Sequence, residues 1–277
     1  MPYTLDYVSD YAKSVENGLA HVGSHLEGHR ERVNVRLAHI NNNTGDPEAC
    51  KRSLQTHAIS ASLMAWFAEH DLSQCKQWAY VAGKLGYPLH SKVPPKVFNA
   101  SLNQRNDLLM PLLSDHSQLL AWYAAYDVVD LKRANKGGTF EFEIHQAMLA
   151  LRGDWVRLAE RSERFLSNVP ARMARFVPDN RFHLALARGD IVSMESALRE
   201  MVTLDAIKWR NLYQGYTGWF IVCEAVIYAK IAWRHGYEVK VDTPWIPAAW
   251  LPIEPLTDYY DPYPFMQTFD IDTPIQW

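Results

Sequence analysis

The chain has 277 residues, of which 48% are hydrophobic and 21% are charged, and this composition excludes an intrinsically disordered protein. The formal net charge is −3, from 28 basic and 31 acidic residues, which excludes binding to nucleic acid or anionic lipid through overall charge. Cys50, Cys75 and Cys223 lie too far apart in sequence for a paired zinc or redox motif, which favours a reducing compartment.

The sequence near the N-terminus lacks the features of a secretory signal. No basic residue precedes Lys13, and no apolar run follows that would form the core of a signal peptide. The longest apolar stretches, at 219–222 and 225–229, are interrupted by Glu224 and Lys230 and are far shorter than the ~20 residues that span a bilayer. We therefore expect a cytoplasmic protein that makes no membrane contact.

Residues 6–40 have a helical pattern of apolar side chains. Gly18, Gly23 and Gly28 weaken this prediction, because each glycine costs a helix about 1 kcal/mol relative to alanine. The pattern ends in an asparagine-rich turn, where Asp46 is placed to cap a helix that has Pro47 at its first position.

Two further helices are predicted to form an antiparallel pair. Apolar residues recur at steps of three and four through residues 47–70, which is typical of a helix buried on one face. A second helix is expected to begin at Asp71 and to end at Gly86, because Gly favours the left-handed capping conformation and Pro88 cannot continue a helix.

The middle of the chain also consists of helical patterns separated by short breaks. Residues 93–95 predict a connector, residues 102–110 and 112–134 predict helices, and another helix is expected to begin near Thr139 after Gly137 and Gly138. Two similar stretches, at 147–154 and 182–190, each predict a helix that ends at Gly and a next helix capped by Asp.

The aspartates of these two turns, Asp154 and Asp190, lie 36 positions apart, near the ~34-residue period of helical-hairpin repeats. This spacing predicts an all-α fold of stacked antiparallel helical hairpins, either a bundle or a short repeat-like array. We expect one domain over residues 1–277, with a helical body at 1–240 and an extended C-terminal segment at 241–277.

The boundary of that C-terminal segment follows from a change in pattern. A strongly apolar helix is predicted over residues 216–233, ending at His235 and Gly236. Residues 237–243 then alternate as a short strand would, and six prolines between residues 244 and 264 exclude long helices beyond that point.

A search for catalytic or metal-binding patterns gives only weak candidates. His21, His25 and His29 share one helical face, but the outer two are roughly 12 Å apart along the axis, so we expect an exposed or partner-contacting stripe and no metal site. Asp127 and Asp130 are interpreted as a solvated pair. No nucleotide-binding, hydrolase or kinase motif is present. We therefore predict no catalytic residue, no cofactor and no metal, with a metal-dependent enzyme using His21, His25 or Asp127 as an alternative.

The C-terminal segment is unusual in charge. Residues 241–277 contain six acidic residues and no Lys or Arg, together with eight aromatic residues. Aromatic side chains beside unpaired carboxylates favour contact with a basic protein partner. We predict that the partner-binding residues are Glu254, Asp258, Tyr259, Tyr260, Asp261 and Tyr263. In the other interpretation, the aromatic side chains fix the segment to the helical body while the acids face water, and both interpretations can hold for different residues.

Three stretches carry a resemblance to a known family. Residues 140–158 contain a helix followed by Gly, Asp and Trp, residues 182–190 repeat that turn, and residues 224–247 combine a helix, a Gly stop, an alternating stretch and a Pro-bounded loop. With the general helical pattern of residues 50–251, they resemble the bacterial immunity protein 49 family, which consists of helical antidotes to secreted polymorphic toxins.

The resemblance implies a protein that neutralises a cognate toxin domain by tight one-to-one binding. A cytosolic antidote implies a toxin that acts in the cytosol, of which nucleases are the commonest kind, and an acidic surface suits a basic nuclease. The alternative from another class is a helical-repeat scaffold or regulatory adaptor that binds a cellular protein.

Overall fold

The computed structural model describes residues 9–90, 103–125, 131–137, 139–212, 214–268 and 271. The predicted connector at 93–95, the pair Asp127 and Asp130, Gly138 and the end of the acidic segment lie outside the described residues. The described residues form thirteen α-helices and no strand, so the predicted all-α fold is confirmed.

The helices fall into an N-terminal group, a central group and a C-terminal group. The first comprises α1 (Tyr11–Arg30), α2 (Val33–Asn41), α3 (Pro47–Phe67) and α4 (Leu72–His90). The second comprises α5 (Asn103–Ser114), α6 (Ser117–Ala125), α7 (Leu131–Ala134) and α8 (Phe140–Arg152). The third comprises α9 (Trp155–Ser167), α10 (Val177–Arg188), α11 (Ile191–Met201), α12 (Leu204–Asn211) and α13 (Cys223–Arg234). Three 3₁₀ turns, Ala171–Phe176, Ala248–Trp250 and Pro264–Thr268, complete the described elements.

Consecutive helices pack as hairpins because short capped turns connect them. The Asp46 carboxylate accepts a hydrogen bond from the Ala49 amide at 3.0 Å and starts α3, which packs along α4. Gly153 and Gly189 adopt left-handed φ values of 73° and 69°, and the aspartate after each glycine caps the next helix. These turns join α8 to α9 and α10 to α11, so both predicted Gly-Asp turns are confirmed.

Several predicted boundaries are wrong. Helix α4 continues past Gly86 to His90, and α5 includes Pro111, because tertiary packing there outweighs the local preference of Gly and Pro to end a helix. Residues 112–134 do not form one helix, since α5 ends at Ser114 and Asp115 has a left-handed φ of 59°.

The last helix and the predicted strand also differ from expectation. Helix α13 begins at Cys223 and not at residue 216, because the Asn211 side chain donates to the carbonyls of Gly218 and Ile221 and holds the intervening turns. Residues 237–243 are extended without being a strand. The Lys240 amide donates to the Glu195 carboxylate at 2.8 Å, and no neighbouring strand among the described residues pairs with this stretch.

One hydrophobic core connects the N-terminal helices to the C-terminal segment. It contains Leu54 of α3, Phe182 of α10, Phe220 before α13 and Trp250 of the C-terminal segment, all fully buried. A small second cluster of Phe142, Phe165 and Phe176 lies beside it. Within the described part of the chain, no helix is both long and apolar enough to cross a bilayer.

The two glycines Gly18 and Gly28 of α1 should respond in opposite directions to substitution by alanine. A Cβ at Gly18 would lie 2.6 Å from atoms of Trp219 and Phe220, so Gly18→Ala should destabilise the fold by about 1–3 kcal/mol. A Cβ at Gly28 would meet nothing within 4 Å, so Gly28→Ala should stabilise the fold by about 0.5–1 kcal/mol. Urea denaturation of both variants checks this, and a stabilising Gly18→Ala would contradict the close packing of α1.

Candidate partner-binding surface

The C-terminal segment is attached to the helical body over most of its described length. Its first part is buried through Trp245 and Trp250, and the carbonyl of Trp245 accepts the amide of Val222 at 3.0 Å, just before α13. The Tyr11 hydroxyl of α1 donates to the carbonyls of Phe220 and Pro244. The segment therefore contacts both the first and the last helix.

A buried charge cluster holds the middle of the segment. Asp115, which follows α5, lies 2.9 Å from Lys76 of α4 and 2.8 Å from Lys230 of α13, and all three side chains are almost completely buried. Asp115 also accepts a hydrogen bond from the Glu254 amide at 3.2 Å. One carboxylate therefore connects two helices with the backbone of the C-terminal segment.

This cluster has an excess of positive charge that the segment's carbonyl groups offset. Lys230 donates to the carbonyls of Trp250 and Pro252 at 2.7 and 2.9 Å, and Lys76 donates to the carbonyl of Glu254 at 2.6 Å. Burial lowers the pKa of Lys230 to about 8, although the charge of Asp115 acts in the opposite direction. Detaching the segment would leave two buried ammonium groups without these acceptors.

A second set of contacts fixes residues 259–261. The buried side chain of Gln77 accepts the Tyr260 amide at 3.2 Å and donates to the Tyr260 carbonyl at 2.7 Å. The Asp261 carboxylate forms an ion pair with Lys84 at 2.7 Å. The Tyr259 hydroxyl donates to the Ser114 carbonyl at 2.5 Å. Residues 259–261 are therefore held by side chains of α4 and by the last residue of α5.

The six residues predicted to bind a partner divide into two groups. The side chains of Glu254, Asp258 and Tyr260 are exposed, and Tyr260 keeps 52% of its surface accessible. Tyr259 and Asp261 are half-buried, and Tyr263 is buried in the core.

Asp261 and Tyr263 are placed differently from the sequence prediction. Asp261 is not an unpaired carboxylate, because it forms the ion pair with Lys84 and accepts a hydrogen bond from Tyr80. Tyr263 is not available at the surface, because apolar burial against the helices is the more favourable place for its ring. These residues attach the segment to the body.

We call the exposed residues Ile253, Glu254, Asp258 and Tyr260 the acidic edge. Ile253 has 37% of its surface exposed and was missed in the sequence, where no pattern distinguishes it from a core residue. Glu254 and Asp258 form no ion pair within the described part of the chain. The acidic edge therefore combines two carboxylates with aromatic and aliphatic surface on a fixed backbone.

The three histidines of α1 do not form a single stripe. The rings of His21 and His25 lie 4.7 Å apart and both approach Tyr216, whereas His29 is buried and stacks on His57 of α3 with ring centroids 3.6 Å apart. The predicted exposed stripe is therefore wrong for His29. Among the described residues, no group of three or more His, Cys, Asp or Glu side chains is arranged to hold a metal ion.

A second buried polar cluster, which no sequence pattern predicted, lies in the C-terminal group of helices. Arg210 of α12 forms a two-pronged ion pair with Asp179 of α10 at 3.0 and 2.5 Å, and the Tyr228 hydroxyl donates to Asp179 at 3.2 Å. The three side chains are almost completely buried. The pair joins α10, α12 and α13 and has a structural role.

Three comparisons with known proteins found no match for the chain among protein-family models, curated proteins or solved structures. The resemblance of residues 140–158, 182–190 and 224–247 to an immunity protein family therefore stays a prediction.

Proposed function

We propose that the protein is an immunity protein that neutralises a cognate bacterial toxin by direct one-to-one binding in the cytosol. The observation that carries this proposal is the acidic edge, whose exposed Glu254, Asp258 and Tyr260 project from a backbone held by Lys76 and Gln77. The three sequence stretches that resemble the immunity family are consistent with this role.

The physical advantage of the acidic edge is preorganisation. A segment that is already ordered loses little conformational entropy when a partner binds, so more of the contact energy is retained as affinity. The Tyr260 ring supplies buried contact area, and Glu254 and Asp258 attract a basic surface over a distance of about one Debye length. A basic, cytosol-acting nuclease is a partner with suitable charge.

A scaffold or adaptor that binds a cellular protein is the second candidate. It is favoured by exposed apolar side chains on the stacked hairpins, since Val156 of α9 is 70% exposed and Val192 of α11 is 76% exposed. A partner of that kind would contact the helical array and leave the acidic edge free.

The test is co-expression with the adjacent gene followed by a pull-down. We expect the triple variant Glu254→Gln, Asp258→Asn, Tyr260→Ala to lose capture of the toxin, because an acidic and aromatic anchor contributes at least about 2 kcal/mol, or roughly 30-fold in affinity. The matched control is Val156→Ala with Val192→Ala, which should retain capture. Loss of toxin capture only in this control would show that the helical array, and not the acidic edge, contacts the toxin, whereas no capture by the wild-type protein would favour the adaptor function.

The salt dependence of the association rate provides an independent measurement. If Glu254 and Asp258 attract a basic partner, raising the ionic strength from about 0.05 to 0.5 M should slow association roughly tenfold or more, as measured by stopped-flow fluorescence. The variant Glu254→Gln with Asp258→Asn should associate slowly at both salt concentrations. An association rate that is independent of salt in the wild-type protein would contradict electrostatic attraction.

A further inference from the structure

A polar pocket lies between α1, α2 and α3, on a part of the chain that the proposed function does not use. Its volume is about 170 Å³, and the described residues that line it include no acid. The lining carries guanidinium, imidazole and hydroxyl groups. These come from Ser24, His25, His29, Arg32, Arg36, Ser53, Thr56 and His57, with Gly28 leaving one wall open.

Arg36 is the central positive charge of this pocket. Its Nη1 donates to Nδ1 of His29 at 2.8 Å, and Arg36 forms no ion pair with a carboxylate in the described part of the chain. A guanidinium has five N–H groups, so one bond to His29 leaves several donors available. Among the described residues, the half-buried Arg36 is therefore a cation without a paired carboxylate.

The two stacked histidines are held as neutral rings. Because guanidinium can only donate, Nδ1 of His29 must accept, and the proton of this ring is on Nε2. Burial and the neighbouring Arg36 lower the pKa of His29 to about 4, and burial lowers the pKa of His57 to about 3. An anion in the pocket would favour their protonated forms.

The imidazole of His57 forms part of the pocket wall. Its Nδ1 is inaccessible to solvent and forms no hydrogen bond with any described residue. A ligand in the pocket cannot reach this occluded nitrogen, so His57 contributes its ring to the pocket wall and no hydrogen bond through Nδ1. The stacking on His29 and the edge contact with Trp78 fix the orientation of the ring.

The N-terminus of α2 adds to the positive electrostatic potential of the pocket. Arg32 is the residue that precedes α2, and no described side chain caps the amide groups of the first turn of this nine-residue helix. Free amides at a helix N-terminus and the helix dipole both favour negative charge. The Arg32 side chain lines the pocket at this same end of α2.

We propose that this pocket binds a small oxyanion of the phosphate type, either inorganic phosphate or the phosphate group of a small monoester. Two guanidinium groups and the hydroxyls of Ser53 and Thr56 match a tetrahedral, doubly charged ligand that accepts several hydrogen bonds. A metal cation is disfavoured because Arg36 repels it and occupies the lone pair of His29. The pocket volume admits a phosphate with a few additional atoms.

The experiment measures phosphate binding by isothermal titration calorimetry at constant ionic strength, with inorganic phosphate and glycerol 3-phosphate as separate probes. We expect saturable binding of at least one probe. The variant Arg36→Gln should weaken that binding by about tenfold or more, because a charge-assisted hydrogen bond contributes about 1.5–3 kcal/mol. Tighter binding of glycerol 3-phosphate would identify a monoester as the ligand, and equal binding would identify the phosphate group alone.

The control variants distinguish phosphate binding in this pocket from a general effect of positive charge on phosphate affinity. Arg52→Gln removes an exposed arginine next to Ser53 that does not line the pocket, and this variant should bind within about twofold of the wild type. If Arg36→Gln fails to fold by circular dichroism, the exposed Arg32→Gln provides the same test. The proposal is overturned if neither probe binds at concentrations up to about 10 mM, or if Arg52→Gln loses as much affinity as the pocket variants.

Discussion

Asp115→Asn should lower the free energy of unfolding by about 3–5 kcal/mol, because it leaves two buried ammonium groups without their carboxylate. Asp115 is 2% exposed, and Lys76 and Lys230 are equally buried beside it. Asparagine tolerates the left-handed φ of 59° at this position, so backbone strain contributes little to the expected loss. Urea denaturation followed by circular dichroism measures the difference.

The control for this prediction is another aspartate of the same region. Asp258→Asn neutralises an exposed carboxylate and should change the unfolding free energy by no more than about 0.5 kcal/mol. A loss at Asp115 similar to that at Asp258 would show that the cluster contributes little to stability.

A double variant distinguishes a lost ion pair from a general packing defect. Adding Lys230→Met to Asp115→Asn removes one of the two uncompensated charges, so it should recover part of the stability that the single variant loses. Strictly additive losses would mean that Asp115 and Lys230 do not interact energetically. Such a result would also weaken the argument that this cluster orders the acidic edge.

Lowering the pH from about 7 to 4.5 should destabilise the protein, and His183 alone should account for roughly 2–3 kcal/mol of the loss. His183 in α10 is fully buried, and neither ring nitrogen forms a hydrogen bond with a described residue. Burial lowers its pKa from 6.5 to about 4 in the folded protein. The unfolded chain therefore takes up the proton first as the pH falls, and stability is lost between about pH 6.5 and 4.

The variant His183→Phe isolates this contribution. Phenylalanine keeps a ring against Phe182 and Tyr228 but does not titrate, so the difference in unfolding free energy between pH 7 and 4.5 should shrink by roughly 2–3 kcal/mol. His70→Asn changes an exposed histidine with a left-handed φ of 56° and should retain the pH dependence of the wild type. An unchanged pH dependence in His183→Phe would show that His183 is not the group that titrates.

The acidic edge and the phosphate pocket consist of different residues and make separate predictions. The first predicts that a protein partner depends on Glu254, Asp258 and Tyr260. The second predicts that a small anion depends on Arg36 whether or not a protein partner exists. Failure of one set of experiments therefore leaves the other proposal intact.

Local chemistry in the sequence was sufficient to predict the fold class and several of its turns. The turns at Gly153 and Gly189, each followed by a capping aspartate, were predictable because a left-handed glycine and an N-cap depend on residues within one helical turn. Asp46 and Pro47 were predictable for the same reason. The predicted helix stop at Gly86 and the predicted strand after Tyr237 were wrong, because packing and pairing partners far away in the sequence determine both.

The acidic, aromatic character of the C-terminal segment is a property of composition alone, and the sequence was enough to identify it. Only the tertiary structure decided which of its residues face solvent. Asp261 pairs with Lys84, which is 177 positions away, and Gln77 binds the backbone of Tyr260 from 183 positions away. The same is true of the pocket that brings His57 of α3 to Arg36 of α2, because burial and pairing depend on contacts that no local pattern encodes.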